Sequence, residues 1–178
     1  MSINQRNSDG DWDGYWEDYW GNCNLIGKGN YINGVKDGYW EEYHPNGNIY
    51  NKGNYINGVK DGYWEECYSN GKIRSKGNFI NGERDGYWEF YLNDNNKISN
   101  ALKYSNGLFY GYFKSYYNNG NLLSHGNYIN GREDGYWETY YENGNIMKKG
   151  YFINGKRNGC WEEYYSNGKL SLRDFYVN

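Results

Sequence analysis

Apolar and polar residues alternate along most of this chain with a period of two. The stretch Tyr39–Ile56 reads YWEEY, then a turn-type cluster HPNG, then NIYNKGNYI. Period two places successive side chains on opposite faces of a strand. The runs on either side of Asn46-Gly47 therefore predict a β-hairpin, with Asn-Gly supplying the two positive φ angles of a type I′ turn. The same dipeptide recurs at Asn70-Gly71, Asn119-Gly120, Asn143-Gly144 and Asn167-Gly168. A two-residue turn at Asn46-Gly47 sets Tyr43 against Tyr50, Glu41 against Lys52 and Trp40 against Gly53. Carried to other copies, this register opposes Glu17 to Lys28, Glu65 to Lys76, Glu138 to Lys149 and Glu162 to Arg173. It also sets Trp16 on Gly29, Trp64 on Gly77 and Trp137 on Gly150, a glycine leaving room for the ring. The second connection, residues 57–62, reads as a loop that sets Ile56 against Tyr63 and Tyr55 against Trp64. One face then carries Trp40, His44, Ile49, Gly53 and Tyr55, and is expected to be the packed one. The other carries Tyr39, Glu41, Tyr43, Lys52 and Ile56.

The hairpin is one unit of an internal repeat, and a repeat overrides local reading. Gly14, Gly38, Gly62, Gly86, Gly111, Gly135 and Gly159 head seven copies, with steps of 24, 24, 24, 25, 24 and 24 residues. An aromatic ladder follows two positions later: Trp16, Trp40, Trp64, Trp88, Phe113, Trp137 and Trp161. The longer step lies in copy four, where LNDNNK replaces HPNGN. Seven hairpins make about 14 strands, roughly 65 Å across at ~4.8 Å per strand. With no helical pattern to cover it, the expected fold is all-β: an elongated single-layer antiparallel sheet of tandem 24-residue hairpins, held by neighbour-to-neighbour packing. Residues 1–9 form a lead-in and residues 10–178 the array.

Composition sharpens this picture. Apolar residues make up only 37% of the 178, yet aromatics reach 21%, with 24 Tyr, 8 Trp and 26 Gly. Too few aliphatics are present for a conventional two-layer core, and too many aromatics for disorder. The net charge of −3, with no basic run, argues against nucleic acid or an acidic lipid surface. No apolar stretch approaches the roughly 20 residues of a membrane span, and the N-terminus lacks the apolar segment of a signal peptide. Cys23, Cys67 and Cys160 are odd in number and far apart, which points to a reducing compartment, the cytoplasm.

Candidate chemistry is sparse. Asp9, Asp11, Asp13 and Gly14 spell the opening of a calcium loop, but the Glu such a loop needs is replaced by Trp20. Asp13, Asp37, Asp61, Asp85 and Asp134 each precede the heading glycine, where a turn wants an Asp to bond nearby backbone N–H groups. His44 and His125 fall at unrelated repeat positions without ligand-spaced partners. The cysteines replace repeat residues, a turn glycine for Cys23 and tyrosines for Cys67 and Cys160. The expectation is no enzyme, no metal and no cofactor. What remains is a row of aromatics suited to a protein interface, Tyr39, Tyr43, Tyr63, Tyr87, Tyr91, Tyr112, Tyr136 and Tyr140. Stacking nucleic-acid bases would also want a basic groove.

The unit GYWETYYENGNIMKKGYFINGKRNG, residues 135–159, resembles the MORN repeat, in particular the tandem variant of bacterial YwqK-family antitoxin-like proteins. Copies occur too in large DNA viruses of amoebae, and the abundance of Asn, Lys, Ile and Tyr suits an AT-rich genome such as a giant virus or a low-GC bacterium. The resemblance covers residues 10–178. It implies an extended sheet that serves as a protein-interaction or dimerisation module, with a membrane or lipid head-group association as the alternative and a toxin as one kind of partner. Departures cluster at copies four and five, where Leu102 stands for the glycine, Lys114 for Glu and faces His125. At the end, Asp174 takes the glycine position, a charge that suits a terminal strand.

Overall fold

A computed structural model describes residues 3–93 and 97–177. Asp94, Asn95 and Asn96 of the copy-four insertion lie outside the described residues, within which every regular element is a strand. The chain divides into two compact units, Met1–Asp85 and Gly86–Asn178. In the first, β1 (Gln5–Arg6), β2 (Trp12–Tyr19), β3 (Leu25–Ile32), β4 (Val35–Tyr43), β5 (Ile49–Ile56), β6 (Val59–Cys67) and β7 (Ile73–Ile80) lie in chain order, each antiparallel to the next. β8 (Glu83–Tyr91) begins in this unit and continues into the second. There β9 (Ile98–Ser105), β10 (Leu108–Tyr116), β11 (Leu122–Ile129), β12 (Arg132–Tyr140), β13 (Ile146–Ile153), β14 (Lys156–Tyr164) and β15 (Leu170–Tyr176) follow in the same order. Each unit is a single antiparallel layer with the expected 24-residue period. The lead-in contributes β1, whose Gln5 and Arg6 pair with Asp13 and Trp12.

The turns exchange the roles expected of them. At Asn46-Gly47 only the glycine has positive φ (+87°), the His44 carbonyl accepts from Gly47 N–H at 2.9 Å, and His44 N–H reaches Asn48 O at 2.8 Å. This is a type I turn, Pro45 at its second position, closed by a left-handed glycine, not a type I′ turn. The loop is one residue longer than two, so Tyr43 pairs with Ile49 and not with Tyr50, while Glu41–Lys52 and Trp40–Gly53 pair as expected. The type I′ turn is the other Asn-Gly: Asn57 (φ 50°) and Gly58 (φ 78°), directly flanked by the pair Ile56–Val59. Residues 59–61 therefore belong to β6 and not to a loop. Tyr55 faces Lys60, not Trp64, and Ile56 faces Val59, not Tyr63. A bulge then absorbs the extra residues before Lys52 meets Glu65. Gly62, with φ +72°, sits in that bulge, and a Cβ added there would meet nothing within 4 Å; backbone conformation, not crowding, requires glycine there.

The tryptophans build the core. Trp40, Trp64, Trp88, Trp137 and Trp161 are buried, while Trp16 and Phe113 are half-buried. Four of these rings lie on a glycine, but not the one each pairs with. Trp40 pairs with Gly53 yet its ring covers Gly29; Trp64 covers Gly53, Trp137 covers Gly126 and Trp161 covers Gly150. The ring leans across the bulge toward the preceding strand, where the ladder is interrupted and a carbonyl is left to accept its N–H. Thus Trp40 Nε1 donates to Asn30 O (2.9 Å), Trp64 to Asn54 O (3.1 Å), Trp137 to Asn127 O (3.1 Å) and Trp161 to Tyr151 O (3.0 Å). A buried indole N–H without such a partner would be costly. Tyr31, Tyr55, Tyr128 and Phe152 meet Trp40, Trp64, Trp137 and Trp161 edge-on at 4.8–5.1 Å between ring centroids. Cations roof the ladder: Lys36 and Lys60 lie 4.4 and 4.1 Å from the Trp40 and Trp64 centroids, and Arg157 4.4 Å from that of Trp161.

Both ends of the hairpins are zipped to their neighbours. Asp37 accepts from Asn57 N–H at 3.3 Å and Asp134 from Asn154 N–H at 3.1 Å, with Asp13 and Asp61 doing the same for Asn33 and Asn81. The aspartate thus secures the next type I′ turn, not its own. At the other end Asn46 and Asn48 both donate to Ser69 O, and Asn143 and Asn145 to Ser166 O.

Candidate functional site

Opposite the tryptophans, the first strand of most copies places Tyr, Glu and Tyr at alternate positions. Because each second strand returns a cation between two such glutamates, pairing runs Glu17–Lys28–Glu41–Lys52–Glu65–Lys76 across the first unit. The expected register is right, but the close contacts go to the acid of the following strand: Lys28 to Glu41 (2.9 Å), Lys52 to Glu65 (2.8 Å) and Lys149 to Glu162 (3.2 Å). Glu162–Arg173 is an ion pair as expected, at 2.6 Å.

The tyrosines grip these carboxylates. Tyr43 donates to Glu41 at 2.5 Å, Tyr91 to Glu89 at 2.7 Å, and Tyr140 to Glu138; these three rings are half-buried. From the other side Tyr39 donates to Glu41 (3.3 Å), Tyr63 to Glu65 (3.2 Å) and Tyr136 to Glu138 (3.0 Å). Tyr39, Tyr63, Tyr87 and Tyr112 keep about half of their surface exposed, 50–51%, and Tyr136 38%. Tyr112 has no Glu two residues on; Lys114 Nζ lies 5.4 Å from its ring centroid. Tyr15, Tyr19 and Tyr164 occupy the same repeat positions and also bond Glu17 or Glu162; the period alone would have added them to the row.

Electrostatics follow from this wiring. Burial pushes the Glu41 carboxyl up, but hydrogen bonds from Tyr43, Lys28 and Tyr39 outweigh it, and the net shift is down. Glu138 behaves alike, through Tyr140, Tyr136 and His125, and Tyr164, Arg173 and Lys149 hold Glu162 down at about 2. The phenols move the other way: burial and then Glu138 push Tyr136 up to about 12, and burial, with the Glu41 carboxylate, raises Tyr39 and Tyr43. They are hydrogen-bond donors at neutral pH.

The remaining candidates serve the repeat. His44 Nε2 meets Cys67 O at 3.0 Å, as the Tyr117 and Tyr141 hydroxyls meet the corresponding carbonyls one copy on. His125 stands in for lysine, 3.0 Å from Glu138. The three cysteines are free, and burial pushes the Cys67 thiol up. Cys23 takes a turn-glycine place at φ 66°. Asp9, Asp11 and Asp13 form no metal-competent cluster, nor does any other His, Cys, Asp or Glu group among the described residues. No helix of the described residues is long and apolar enough to cross a membrane.

No curated protein matches the chain. The family model of the MORN repeat variant matches five segments, residues 36–57, 60–81, 109–130, 133–154 and 157–178, which together make up more than half of the sequence; the copies headed by Gly14 and Gly86 lie outside them. The first four segments each run from one type I′ turn to the next, and all five carry one ladder aromatic, Trp40, Trp64, Phe113, Trp137 or Trp161. The chain belongs to the MORN repeat variant family.

Proposed function

We propose that the protein is a non-enzymatic scaffold that binds a protein partner, or a second copy of itself, through the tyrosine face. The observation that supports this reading is the state of Tyr39, Tyr63 and Tyr136: exposed over a third to a half of their surface, yet each tethered by its hydroxyl to a glutamate that a further side chain holds in place, Tyr43 for Glu41, Tyr140 for Glu138 and Lys52 for Glu65. Rings already fixed lose little freedom on binding, and Tyr is favoured in interfaces because it joins apolar area to a polar tip. Lipid head groups are a weaker fit, since the cations of the first unit's row each stand between acids. A toxin would be a narrower form of partner and rests on the resemblance alone. Free cysteines suit a reducing compartment, the cytoplasm.

The test is sedimentation together with affinity capture in the native cell, with wild type and a Tyr39→Ser, Tyr63→Ser, Tyr136→Ser triple variant. Specific partners or a dimer should be lost in the variant while it stays folded. A wild-type protein that is monomeric at high concentration and captures nothing the variant does not would overturn the proposal.

A further inference from the structure

On the tryptophan face, a carboxylate recurs at one repeat position, and the copies show what it needs. Glu42 accepts from Lys36 Nζ at 2.5 Å and from Asn51 Nδ2, directly across, at 2.8 Å. Glu66 accepts from Ser75, directly across, at 2.7 Å and from Arg74 at 3.0 Å. Asp18 holds this position in the first copy, where the partner directly across and the cation of its own strand are both gone; the counterpart of Arg84, which lies 3.6 Å from Glu66, is Lys36, and Lys36 bonds Glu42. The residue that would supply its cation, one copy before Lys36, is Trp12, and the residue across from it is Gly27. Among the described residues Asp18 has no ion pair and no side-chain hydrogen bond.

The missing side chain at Gly27 also opens space. A hollow of about 310 Å³ forms there, lined by Trp16, Tyr31, Trp40 and Tyr50 together with Asp18 and Glu42. Trp16 and Trp40 both meet Tyr31 nearly at right angles, at 5.9 and 4.9 Å, so the aromatic walls are not coplanar. Lys36 lies on the same hollow but is already engaged by Glu42 and the Trp40 ring. Burial raises the Tyr31 hydroxyl's pKa, and the Asp18 and Glu42 charges raise it further, which is the sign of a negative local potential. Aromatic faces beside an unpaired carboxylate attract a cation both through the ring quadrupoles and by direct charge.

We propose that this hollow is a binding site for an alkylammonium or guanidinium group, carried by a free amine or by a basic side chain of a partner. It lies on the face opposite the tyrosine row and does not depend on that row's function. The full-length protein would be titrated with n-butylammonium, with N-ethylguanidinium, and with short glycine-flanked peptides carrying one Lys or one Arg, following the Trp16 and Trp40 indole N–H signals by NMR. Saturable shifts are expected with the cations and none with acetate. Asp18→Asn, at an exposed side chain with no partner to lose, should weaken binding about tenfold or more. Gly27→Ser should weaken it severalfold by narrowing the hollow and giving Asp18 the hydroxyl that Ser75 gives Glu66. A Cβ at Gly27 would sit 3.3 Å from Glu41 O and 3.7 Å from Glu42 Cγ, a fit that needs only a small shift. Binding of free amines as strong as that of the peptides assigns the site to small amines; binding of peptides alone assigns it to a basic partner segment. If no probe binds the wild type, or if Asp18→Asn binds as the wild type does, the proposal fails.

Discussion

Two ring seats, one in each unit, differ in a way that explains both. In the first unit Trp64 lies over Gly53, and a side chain at Gly53 would occupy the space of the indole. In the second unit the corresponding seat is Leu102, and the ring due to cover it, eleven residues on as in every copy, is Phe113 and not tryptophan. Leu102 is buried, and both residues line one hollow. A larger seat goes with a smaller ring. The two departures in copies four and five are thus one exchange of volume across neighbouring strands, as close-packed interiors require. The same stretch breaks the charge row: Ala101, Lys114 and His125 stand in sequence where acids and bases alternate elsewhere, and Lys114 has no carboxylate partner among the described residues.

This contrast can be broken at its strongest point by Gly53→Leu. Ejecting the fully buried Trp64 should destabilise the protein by more than about 4 kcal/mol, read from urea unfolding, and a second change, Trp64→Phe, should recover part of the loss. A double-mutant cycle with no coupling would refute the exchange. The converse, Leu102→Gly, leaves a void and should cost about 3 kcal/mol; adding Phe113→Trp should restore much of it by rebuilding the regular seat.

Acid should act next. The carboxyls of Glu41, Glu138 and Glu162 are held below their usual range in the fold. Their contribution is complete above the unfolded value, about 4.3, and disappears as pH falls through the lower folded values. Thermal unfolding should therefore be flat from neutrality to about pH 5 and decline below it. Raised tyrosines, Tyr136 at about 12 among them, contribute stability that is complete below about pH 10 and lost as pH rises through the folded values. The smallest effect is Lys114→Glu, which places a carboxylate directly across from His125 and should raise stability by no more than about 0.5 kcal/mol, read from urea unfolding.

The choice between two Asn-Gly turns shows where sequence logic reached its limit. Both dipeptides permit a type I′ turn, and local preference cannot rank them. Pro45 beside one and the strand residues Ile56 and Val59 beside the other were the available signals: proline lacks a ladder N–H and suits the second position of a type I turn. Asparagine abundance, which by composition suggested an AT-rich genome, has a structural use. Asn46, Asn48, Asn143 and Asn145 each bond a carbonyl one copy on, at a separation of 21 or 23 residues. The tyrosine row was legible because a repeat of even strand periods keeps a residue type on one face. The hollow at Asp18 was not, although Trp12 and Gly27 were visible as departures from Lys36 and Asn51, because its walls come from four strands.

The chain alone thus specified the all-β class, the 24-residue period, the pairing of Glu41 with Lys52 and Trp40 with Gly53, and the assignment of the tryptophans with Tyr55 to one face and of Tyr39 and Tyr43 to the other. These follow from alternation and repetition, which are properties of one strand and its hairpin partner. Tertiary structure decided toward which neighbour each side chain leans. A strand inside a sheet has two neighbours at nearly equal distance, and pairing arithmetic within one hairpin sees only one of them. Bulge geometry, freed carbonyls and the volume left by glycine broke the tie. They sent Trp64 to Gly53 and Lys52 to Glu65, and left Asp18 without an ion pair or side-chain hydrogen bond among the described residues.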